Sequence, residues 1–340
     1  MNTRRDFLKK TTAITALSLF ADWTSAAPVY DRLGEVLPMR RLLRNGEKTT
    51  AFCLGGWHLG KTDDLNQAER MVERAIELGV RFFDNARVYH RGRSEEYMGK
   101  FLTPKYRDQI FLMTKSASRT GAEVRKDLDL SLKALNTDYL DLWQIHTLTT
   151  LEDVDNRLRD GVLEVFLEAK EKGKTRYIGF TGHQNPKTFM YFLEILKQQG
   201  LELDTAQMPL NVCDPSYESF QYGALPVLLE REYGVIAMKT MAGGSMMGKR
   251  IDTTPRELET KDIPDVIGAT GISYSELHRY VYTLPVSSLC SGCETVEQIE
   301  HNVGVLRDLK ELSGSDMERL VATAKPFAGF NVENFKRVFN

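Results

Sequence analysis

Residues 110–146 read IFLMTKSASRTGAEVRKDLDLSLKALNTDYLDLWQIH, and the pattern of this stretch decides the fold. The apolar runs at 110–115 and 140–146 have the length of buried strands. Between them, Leu128, Leu132 and Leu135 recur at spacings of four and three, which predicts an amphipathic helix. A helix that joins two buried strands is typical of a parallel sheet.

The same alternation of short apolar runs and amphipathic segments continues along the chain from residue 51. Strand–helix units of this kind close into a barrel when there are eight of them. The sequence therefore predicts an α/β fold, a (β/α)8 TIM barrel in residues 28–340. Its strands are predicted at 51–55, 81–85, 110–115, 140–146, 177–181, 205–209, 235–239 and 286–289.

Three segments lie outside this alternation. Two β-prone pieces flank Asn45-Gly46 within 36–50, which predicts an N-terminal β-hairpin that closes the amino-terminal end of the barrel. The segment 241–272 contains several glycines and prolines, follows the seventh strand, and is expected to cover a cofactor or substrate. The C-terminal tail at 326–340 is rich in phenylalanine and is expected to pack back onto the barrel.

Composition and charge narrow the classes of function. With 340 residues and a hydrophobic content of 42%, the chain is long enough to bury a large core. Its 45 basic residues nearly balance 47 acidic residues, and the two signs alternate along the predicted helices. Because nucleic acid is bound through clustered positive charge, the sequence gives no support for a nucleic-acid partner.

The N-terminal residues 1–27 differ from the rest of the chain. Residues 3–9 read TRRDFLK, a twin-arginine sequence, and a weakly hydrophobic run at 11–21 and small residues at 25–27 follow it. The run is too short and too polar for a stable membrane anchor, so the pattern predicts a twin-arginine (Tat) signal peptide at 1–27. We therefore expect recognition by the Tat machinery and a periplasmic or otherwise exported protein. The alternative is a basic amphipathic N-terminal helix.

The chain contains 4 cysteines, too few for a disulfide scaffold of this length. Two of them form the sequence Cys290-Ser291-Gly292-Cys293, which has the spacing of a redox or metal-binding pair. Structural metal sites usually need two such pairs, and the sequence has no second CxxC, so no metal is expected. A local disulfide or an isolated metal site stays an alternative to packing thiols.

Four polar residues end or follow three of the predicted strands: Asp84, Tyr89, Lys115 and His146. Because the carboxyl ends of parallel strands meet at one rim of a barrel, we expect these side chains to converge. Taken singly, each is readily explained as a cap, a packing group or a structural polar residue. Their order and complementary chemistry favour a shared site.

Reduction of a carbonyl needs a hydride donor and an acid that protonates the oxygen. Side chains do not donate hydride, so a cofactor is implied. Tyr89 is the candidate acid, and the ammonium of Lys115 would stabilise its phenolate. Asp84 would pair with Lys115 in the barrel, and His146 would donate to the substrate oxygen or relay a proton.

The motifs FFDNARVYHRGRSEEYMGKFL at 82–102, FLMTK at 111–115, LDLWQIH at 140–146 and YIGFTGH at 177–183 resemble consecutive signatures of the aldo-keto reductase superfamily. The similarity covers residues 40–310. The resemblance implies a (β/α)8 barrel that binds a nicotinamide dinucleotide without a Rossmann fold. It also implies the following roles: Tyr89 as proton donor, Lys115 and Asp84 as its tuning pair, and His146 for substrate orientation and proton relay.

The resemblance implies a nicotinamide-binding end with two departures from the family pattern. Thr181 and Gln207 match the residues that hold the carboxamide. Gly182 stands where many members have Asn, and Met238, followed by Lys239, stands where many members stack an aromatic ring on the nicotinamide. A thioether still packs on that ring, but less rigidly.

The adenosine end differs more from the family. The resemblance assigns it to Gly292, Glu294, Gln298 and Asn302, where NADP-preferring members supply Lys or Arg. A carboxylate repels the 2′-phosphate of NADP(H). If Glu294 accepts a hydrogen bond from the free ribose hydroxyl, the site would favour NAD(H). A loop cation such as Lys249 or Arg250, or the family default, would favour NADP(H). Both cofactors stay open.

We interpret the chain as an exported nicotinamide-dependent oxidoreductase that interconverts an alcohol and a carbonyl, either an aldehyde, a ketone or a sugar. Trp57 and His183 are expected to line the substrate pocket. Because an exported enzyme has no obvious nicotinamide pool, we expect a pre-bound cofactor regenerated by a second substrate or a redox partner. The alternative is a catalytically slow, nicotinamide-sensing binding or regulatory barrel.

Overall fold

The computed structural model describes residues 28–250, 254–256 and 258–338. The Tat signal predicted at 1–27 lies outside them. The strands of the described chain are β1 Val29–Asp31, β2 Gly34–Val36, β3 Met39–Arg41, β4 Lys48–Thr50, β5 Phe52–Gly55, β6 Phe82–Asp84, β7 Phe111–Ser116, β8 Leu140–Ile145, β9 Thr175–Thr181, β10 Thr205–Pro209, β11 Gly234–Met238 and β12 Ser288–Gly292.

Eight of these strands are parallel and close into a barrel, in the order β5-β6-β7-β8-β9-β10-β11-β12 and back to β5. Each predicted strand overlaps one of them. The predicted (β/α)8 TIM barrel is therefore confirmed. Closure leaves no unpaired edge, so every barrel strand has a hydrogen-bonded neighbour on both sides.

Helices surround the barrel. Several of them begin at a side-chain cap, as at Thr120 and Thr295, whose hydroxyls each accept from the backbone nitrogen of the third helical residue. The α-helices are Gly56–Leu59, Leu65–Glu77, Arg93–Phe101, Thr103–Tyr106, Gly121–Ala134, Leu151–Arg159, Val162–Glu171, Pro186–Gln198, Phe220–Gly223, Leu225–Glu230, Val266–Thr270, Tyr274–Thr283, Val296–Arg307 and Gly314–Ala324. Short 3-10 turns are Tyr89–Gly92, Arg107–Gln109, Asp214–Ser216, Ala242–Gly244, Thr260–Asp262 and Lys325–Phe327.

The predicted hairpin is β3 paired antiparallel with β4, and it closes the amino-terminal end of the barrel. Leu42 and Leu43 from its turn join the apolar cluster inside the barrel. A Cβ at Gly234, the first residue of β11, would lie only 2.1 Å from the carbonyl oxygen of Leu42. Because the hairpin fits this closely, the barrel opens to ligands at its carboxyl-terminal rim. A second hairpin, β1 with β2, was not predicted from the sequence.

The barrel interior and the space between strands and helices form two apolar layers. The interior layer consists of Leu42, Leu43, Cys53, Phe82, Phe111, Met113, Leu142 and Ile236. In the outer layer, Trp143 stacks on Phe166 with ring centroids 3.8 Å apart. Burial of each such side chain stabilises the fold by roughly 1.5–3 kcal/mol.

The C-terminal tail packs on the barrel, but its polar residues contribute as much as its aromatic ones. Phe335 is buried, whereas Val338 is 59% exposed. Lys336 is fully buried, with its nitrogen 2.7 Å from Asp214 Oδ1 and 2.9 Å from Glu333 Oε1. The phenylalanine content therefore predicted the packing of the tail but missed the ion cluster that fixes it.

No helix within the described ranges is long and apolar enough to cross a membrane. The segment 241–272, of which residues 251–253 and 257 are outside the description, contains two 3-10 turns and one short helix. It contacts the tail, because Asn334 Nδ2 donates to Ser245 Oγ at 3.4 Å. Its role as a cover stays a prediction.

Candidate active site

The carboxyl ends of three adjacent strands bring the predicted tetrad together. Asp84 is the last residue of β6, Lys115 lies near the end of β7, and His146 directly follows β8. Tyr89 begins the 3-10 turn that leaves β6. The strands run in parallel register, with Asp84 opposite Met113 and Lys115 opposite Gln144. The four residues lie together at the carboxyl-terminal rim, as the sequence predicted.

Lys115 is the central residue of this cluster and is only 1% exposed. Its ammonium donates to Oδ1 of Asp84 and, at 2.7 Å, to the carbonyl oxygen of Asn85. The same nitrogen lies 3.4 Å from the hydroxyl oxygen of Tyr89. An ammonium has three hydrogens to donate, so Lys115 can serve all three oxygens at once.

The Asp84–Lys115 pair is charged despite its burial. Burial lowers the pKa of Lys115, but the carboxylate of Asp84, together with Tyr89 and Cys290, outweighs burial and holds this pKa above its usual range. Burial likewise raises the pKa of Asp84, and Lys115 opposes that rise. Each partner stabilises the ionised form of the other.

Tyr89 is protonated at neutral pH. Burial raises the pKa of its phenol, and Lys115 lowers it by a smaller amount, so the net pKa lies above the usual value. The sequence predicted the lowering by Lys115 but not the larger opposing effect of burial. The result is a phenol that holds its proton until a neighbouring oxygen becomes negative.

His146 is neutral and partly unsatisfied. Burial lowers the pKa of its imidazole well below the usual value, and the charge of Lys115 adds to this. Its ring lies edge-on to that of Tyr89, with centroids 5.8 Å apart. Its Nδ1 is buried without a hydrogen-bond partner in the described chain. A neutral imidazole has one N–H donor and one acceptor nitrogen, so His146 can bind a substrate oxygen beside Tyr89.

Aromatic and imidazole rings surround the tetrad. Trp57 packs edge-on to Tyr89 at a centroid distance of 5.2 Å, and the ring of His90 lies 4.4 Å from that of Trp57. The ring centroid of His183 lies 6.3 Å from that of Phe335. His90 has φ of +48°, in a region that non-glycine residues rarely adopt. Sequence reasoning missed His90 and Phe335, although both are aromatic residues in segments already singled out.

The predicted carboxamide site fits a nicotinamide. Thr181 ends β9 and lies opposite Gln207 on β10. The Thr181 hydroxyl accepts from the backbone nitrogen of Thr147 at 3.0 Å, which leaves its proton to donate. Gln207 is 1% exposed, and its Oε1 has no hydrogen-bond partner in the described chain. A carboxamide, which has both a donor and an acceptor, satisfies this pair.

The departure at Gly182 has a packing cause. A Cβ at this position would lie 2.7 Å from Phe189 Cε2 and 2.8 Å from the carbonyl oxygen of Leu148. An asparagine therefore does not fit without displacing backbone. Met238 ends β11 at the same rim, and Lys239 follows it with φ of +58°.

The four residues predicted for the adenosine end lie around the start of helix Val296–Arg307. Gly292 must be glycine, because a Cβ there would lie 1.9 Å from His58 Nδ1. The backbone nitrogen of Glu294 donates to Gln298 Oε1 at 2.7 Å, and Asn302 Nδ2 donates to Ser291 Oγ at 3.2 Å. Lys61, which the sequence did not single out, lies 3.4 Å from Glu294 Oε1.

The two cysteines of the CxxC sequence have separate partners and are free thiols. Cys290 Sγ donates to Asp84 Oδ2 at 3.3 Å, whereas Cys293 Sγ accepts from Asn302 at 3.3 Å. The structure therefore has no local disulfide here. Within the described ranges, no group of three or more His, Cys, Asp or Glu side chains is placed to hold a metal ion.

A parallel eight-stranded barrel with a buried Asp–Lys–Tyr–His cluster at its carboxyl-terminal rim is the architecture expected of a nicotinamide-dependent oxidoreductase. The family model described as "Aldo/keto reductase family" matches residues 51–325, and the chain belongs to this family. The predictions of an aldo/keto reductase and of a nicotinamide cofactor are therefore confirmed at the level of the family.

Individual relatives are distant. The chain is similar to the uncharacterised oxidoreductase YqkF of Bacillus subtilis, with 26% identity over 74% of this chain and 85% of the relative. It is similar to L-galactose dehydrogenase of Arabidopsis thaliana, with 27% identity over 84% and 92% of the two chains. A solved aldo-keto reductase from Klebsiella pneumoniae, in complex with NADPH, has a TM-score of 0.65 and 20% identity, over 85% and 96% of the two chains.

Proposed function

We propose that the protein interconverts a carbonyl (aldehyde, ketone or sugar) and the corresponding alcohol, with Tyr89 as the acid and base. The observation that carries this proposal is the position of the Lys115 nitrogen, bonded to Asp84 and 3.4 Å from the Tyr89 hydroxyl oxygen. A fixed positive charge beside a phenol stabilises the phenolate that forms when the proton leaves.

In the direction of reduction, the Tyr89 hydroxyl transfers its proton to the carbonyl oxygen as negative charge develops there. The negative charge then resides on the Tyr89 oxygen beside Lys115. His146, being neutral, binds the same substrate oxygen through an imidazole nitrogen and orients the carbonyl. Trp57 and His183 line the pocket and shield the reacting oxygen from water.

The bound nicotinamide supplies or accepts the hydride. Thr181 and Gln207 would hold its carboxamide, and Met238 would pack on the ring. Lys239 and the residues around Gly292 would hold the remainder, and Glu294 and Lys61 would contact the ribose. This chain's own contribution is to orient the ring and to hold the proton at Tyr89.

Isotope transfer tests the reaction type directly. NADPH or NADH deuterated at C4 of the nicotinamide, incubated with the protein and 4-nitrobenzaldehyde or methylglyoxal, is expected to give an alcohol that carries the deuterium on its new carbinol carbon. Mass spectrometry of the product reads this out. Binding of the nucleotide with no deuterated alcohol from any aldehyde, ketone or sugar tested would instead identify a nicotinamide-sensing barrel.

We further propose that the protein is exported by the Tat machinery, which the twin-arginine sequence of residues 3–9 supports. Because an exported enzyme has no obvious nicotinamide pool, we also propose that its cofactor is already bound. Replacement of Arg4 and Arg5 by lysine is expected to retain the protein in the cytoplasm. Mass spectrometry of exported protein after denaturation is expected to release NAD(H) or NADP(H) at about one per chain. Nucleotide that washes off at once would contradict retention. A redox partner that regenerates a bound cofactor would then not be needed.

A further inference from the structure

The carboxylate of Asp84 has two hydrogen-bonded oxygens, and the tetrad accounts for only one of them. Lys115 donates to Oδ1. The thiol of Cys290 donates to the other carboxylate oxygen, Oδ2, at 3.3 Å. Asp84 is 3% exposed, so water cannot readily replace the thiol.

Cys290 reaches Asp84 because β12 and β6 flank the same strand, β5. Cys290 lies opposite Cys53 in the β12–β5 register, and Cys53 in turn lies opposite Phe82 on β6. Cys290 packs against the apolar cluster inside the barrel, and its sulfur contacts Asp84 at the rim where β6 ends. Closure of the barrel is therefore what brings the thiol to the carboxylate.

The thiol is a donor and not a reactive nucleophile. The contact with Cys53 lowers the pKa of Cys290, but burial and the carboxylate of Asp84 raise it, and the net pKa lies above the usual value. Because a protonated thiol is a poor nucleophile and a poor metal ligand, a redox role is disfavoured. The proton stays on the sulfur, where it can be donated to Asp84.

We propose that Cys290 is a positioning residue of the proton-transfer site, whose S–H bond to Oδ2 holds the Asp84 carboxylate in place beside Lys115. This inference rests on the proposed role of Tyr89. Removal of the thiol proton leaves Oδ2 buried without a donor, which favours protonation of Asp84. A protonated Asp84 no longer supports the ammonium of Lys115, and Tyr89 then loses the charge that stabilises its phenolate.

Two substitutions at Cys290 distinguish the hydrogen bond that its thiol donates from the space that its side chain fills. Cys290→Val fills similar space without a donor, and Cys290→Ser keeps an O–H donor. With NADPH and 4-nitrobenzaldehyde, Cys290→Val is expected to lose kcat about tenfold at neutral pH. The acidic limb of its pH–kcat profile moves to higher pH, because Asp84 protonates earlier as the pH falls. Cys290→Ser is expected to keep most of the wild-type kcat and an acidic limb close to that of wild type.

Cys213→Val and Cys213→Ser are the matched controls, since Cys213 is a fully buried thiol whose charged neighbours are Glu333, Lys336 and Asp214 rather than Asp84. Their pH profiles are expected to match wild type even if their stability falls. A wild-type profile in Cys290→Val, or a serine variant no better than the valine variant, overturns the inference. Absence of any turnover by wild-type protein with every carbonyl tested overturns the proposed function instead.

Infrared spectroscopy tests the hydrogen bond without turnover. The S–H stretching band that Cys290→Ser removes is expected at lower frequency than the band that Cys213→Ser removes, because donation to a carboxylate weakens the S–H bond. In an Asp84→Asn background the Cys290 band is expected to move up. Equal frequencies for the two thiols, or no response to Asp84→Asn, overturn the inference regardless of catalysis.

Discussion

The nitrogen of Lys115 lies 3.4 Å from the hydroxyl oxygen of Tyr89 and also donates to Asp84. One buried positive charge therefore contacts both a carboxylate and a phenol. The carboxylate keeps the lysine charged, and the lysine offsets part of the effect of burial on the phenol. Catalysis and stability therefore depend on the same pair.

Lys115→Met is expected to destabilise the fold by about 3–5 kcal/mol, because Asp84 is left as a buried charge without its partner. The double variant Lys115→Met/Asp84→Asn is expected to recover much of this loss but no activity. Urea unfolding of both measures the difference, with Lys126→Met, an exposed lysine, as control. Equal stability of the single and double variants would show that the pair is not coupled in this way.

Stability is expected to fall as the pH drops from about 6.5 toward 3, partly because of His183. Burial, together with Lys239 and Lys115, lowers the pKa of His183 from 6.5 to about 3 in the folded state. The unfolded chain therefore binds a proton in this window that the folded chain does not, and this favours unfolding. His183→Gln should reduce the slope of unfolding free energy against pH between these values. An unchanged slope would exclude His183 as a contributor.

Gly182→Asn, which restores the residue that many family members have, is expected to destabilise this chain by roughly 1–3 kcal/mol through overpacking. The cause is the 2.7 Å approach of the new Cβ to Phe189. Thermal unfolding measures the effect. Gly304→Ala provides the control, because nothing lies within 4 Å of its Cβ and alanine favours its helix. A fully stable Gly182→Asn variant would contradict this packing account.

Glu294→Gln is expected to raise the affinity for NADP(H) relative to NAD(H) by about fivefold at low salt, since it removes a carboxylate and leaves the cation of Lys61. Titration of both nucleotides by fluorescence gives the ratio. Lys61→Met should shift the ratio the opposite way. If neither substitution changes it, the ribose does not bind at this end of helix Val296–Arg307.

Lys336→Met is expected to destabilise the fold by about 3–5 kcal/mol, because Asp214 and Glu333 are both buried around the lost ammonium. The adjacent Phe335 would then no longer be held near His183. We expect limited proteolysis to cleave the tail of this variant and not that of wild type. Lys325→Met, at an exposed lysine earlier in the tail, is the control. A protease-resistant tail in Lys336→Met would contradict the anchoring role.

The barrel and the tetrad were predictable because they depend on periodicity and on strand ends. Asp84, Lys115 and His146 each end or follow an apolar run, and parallel closure must bring such ends together. The partner of Cys290 was not predictable in the same way. The CxxC spacing pointed to Cys293, whereas Asp84, more than two hundred positions away in sequence, becomes its partner only when β12 pairs with β5.

The hydrophobic pattern of the sequence also could not reveal which charged and polar side chains are buried. Glu333 and Lys336 are charged residues that a sequence places on the surface, yet both are fully buried in the tail. His90 enters the site through an unusual backbone conformation that no spacing rule predicts. In the same way, the effect of burial on Tyr89 depends on the packing of Trp57 and His146 around it.

Single-turnover reduction by Tyr89→Phe tests the central claim most directly. Protein pre-loaded with NADPH is mixed with 4-nitrobenzaldehyde, and the loss of reduced nicotinamide is followed by stopped-flow absorbance, with Tyr30→Phe at an exposed position as control. We predict a rate lower than wild type by at least about 10²-fold, with unchanged affinity for NADPH. A rate within a few-fold of wild type would contradict the assignment of Tyr89 as the proton donor.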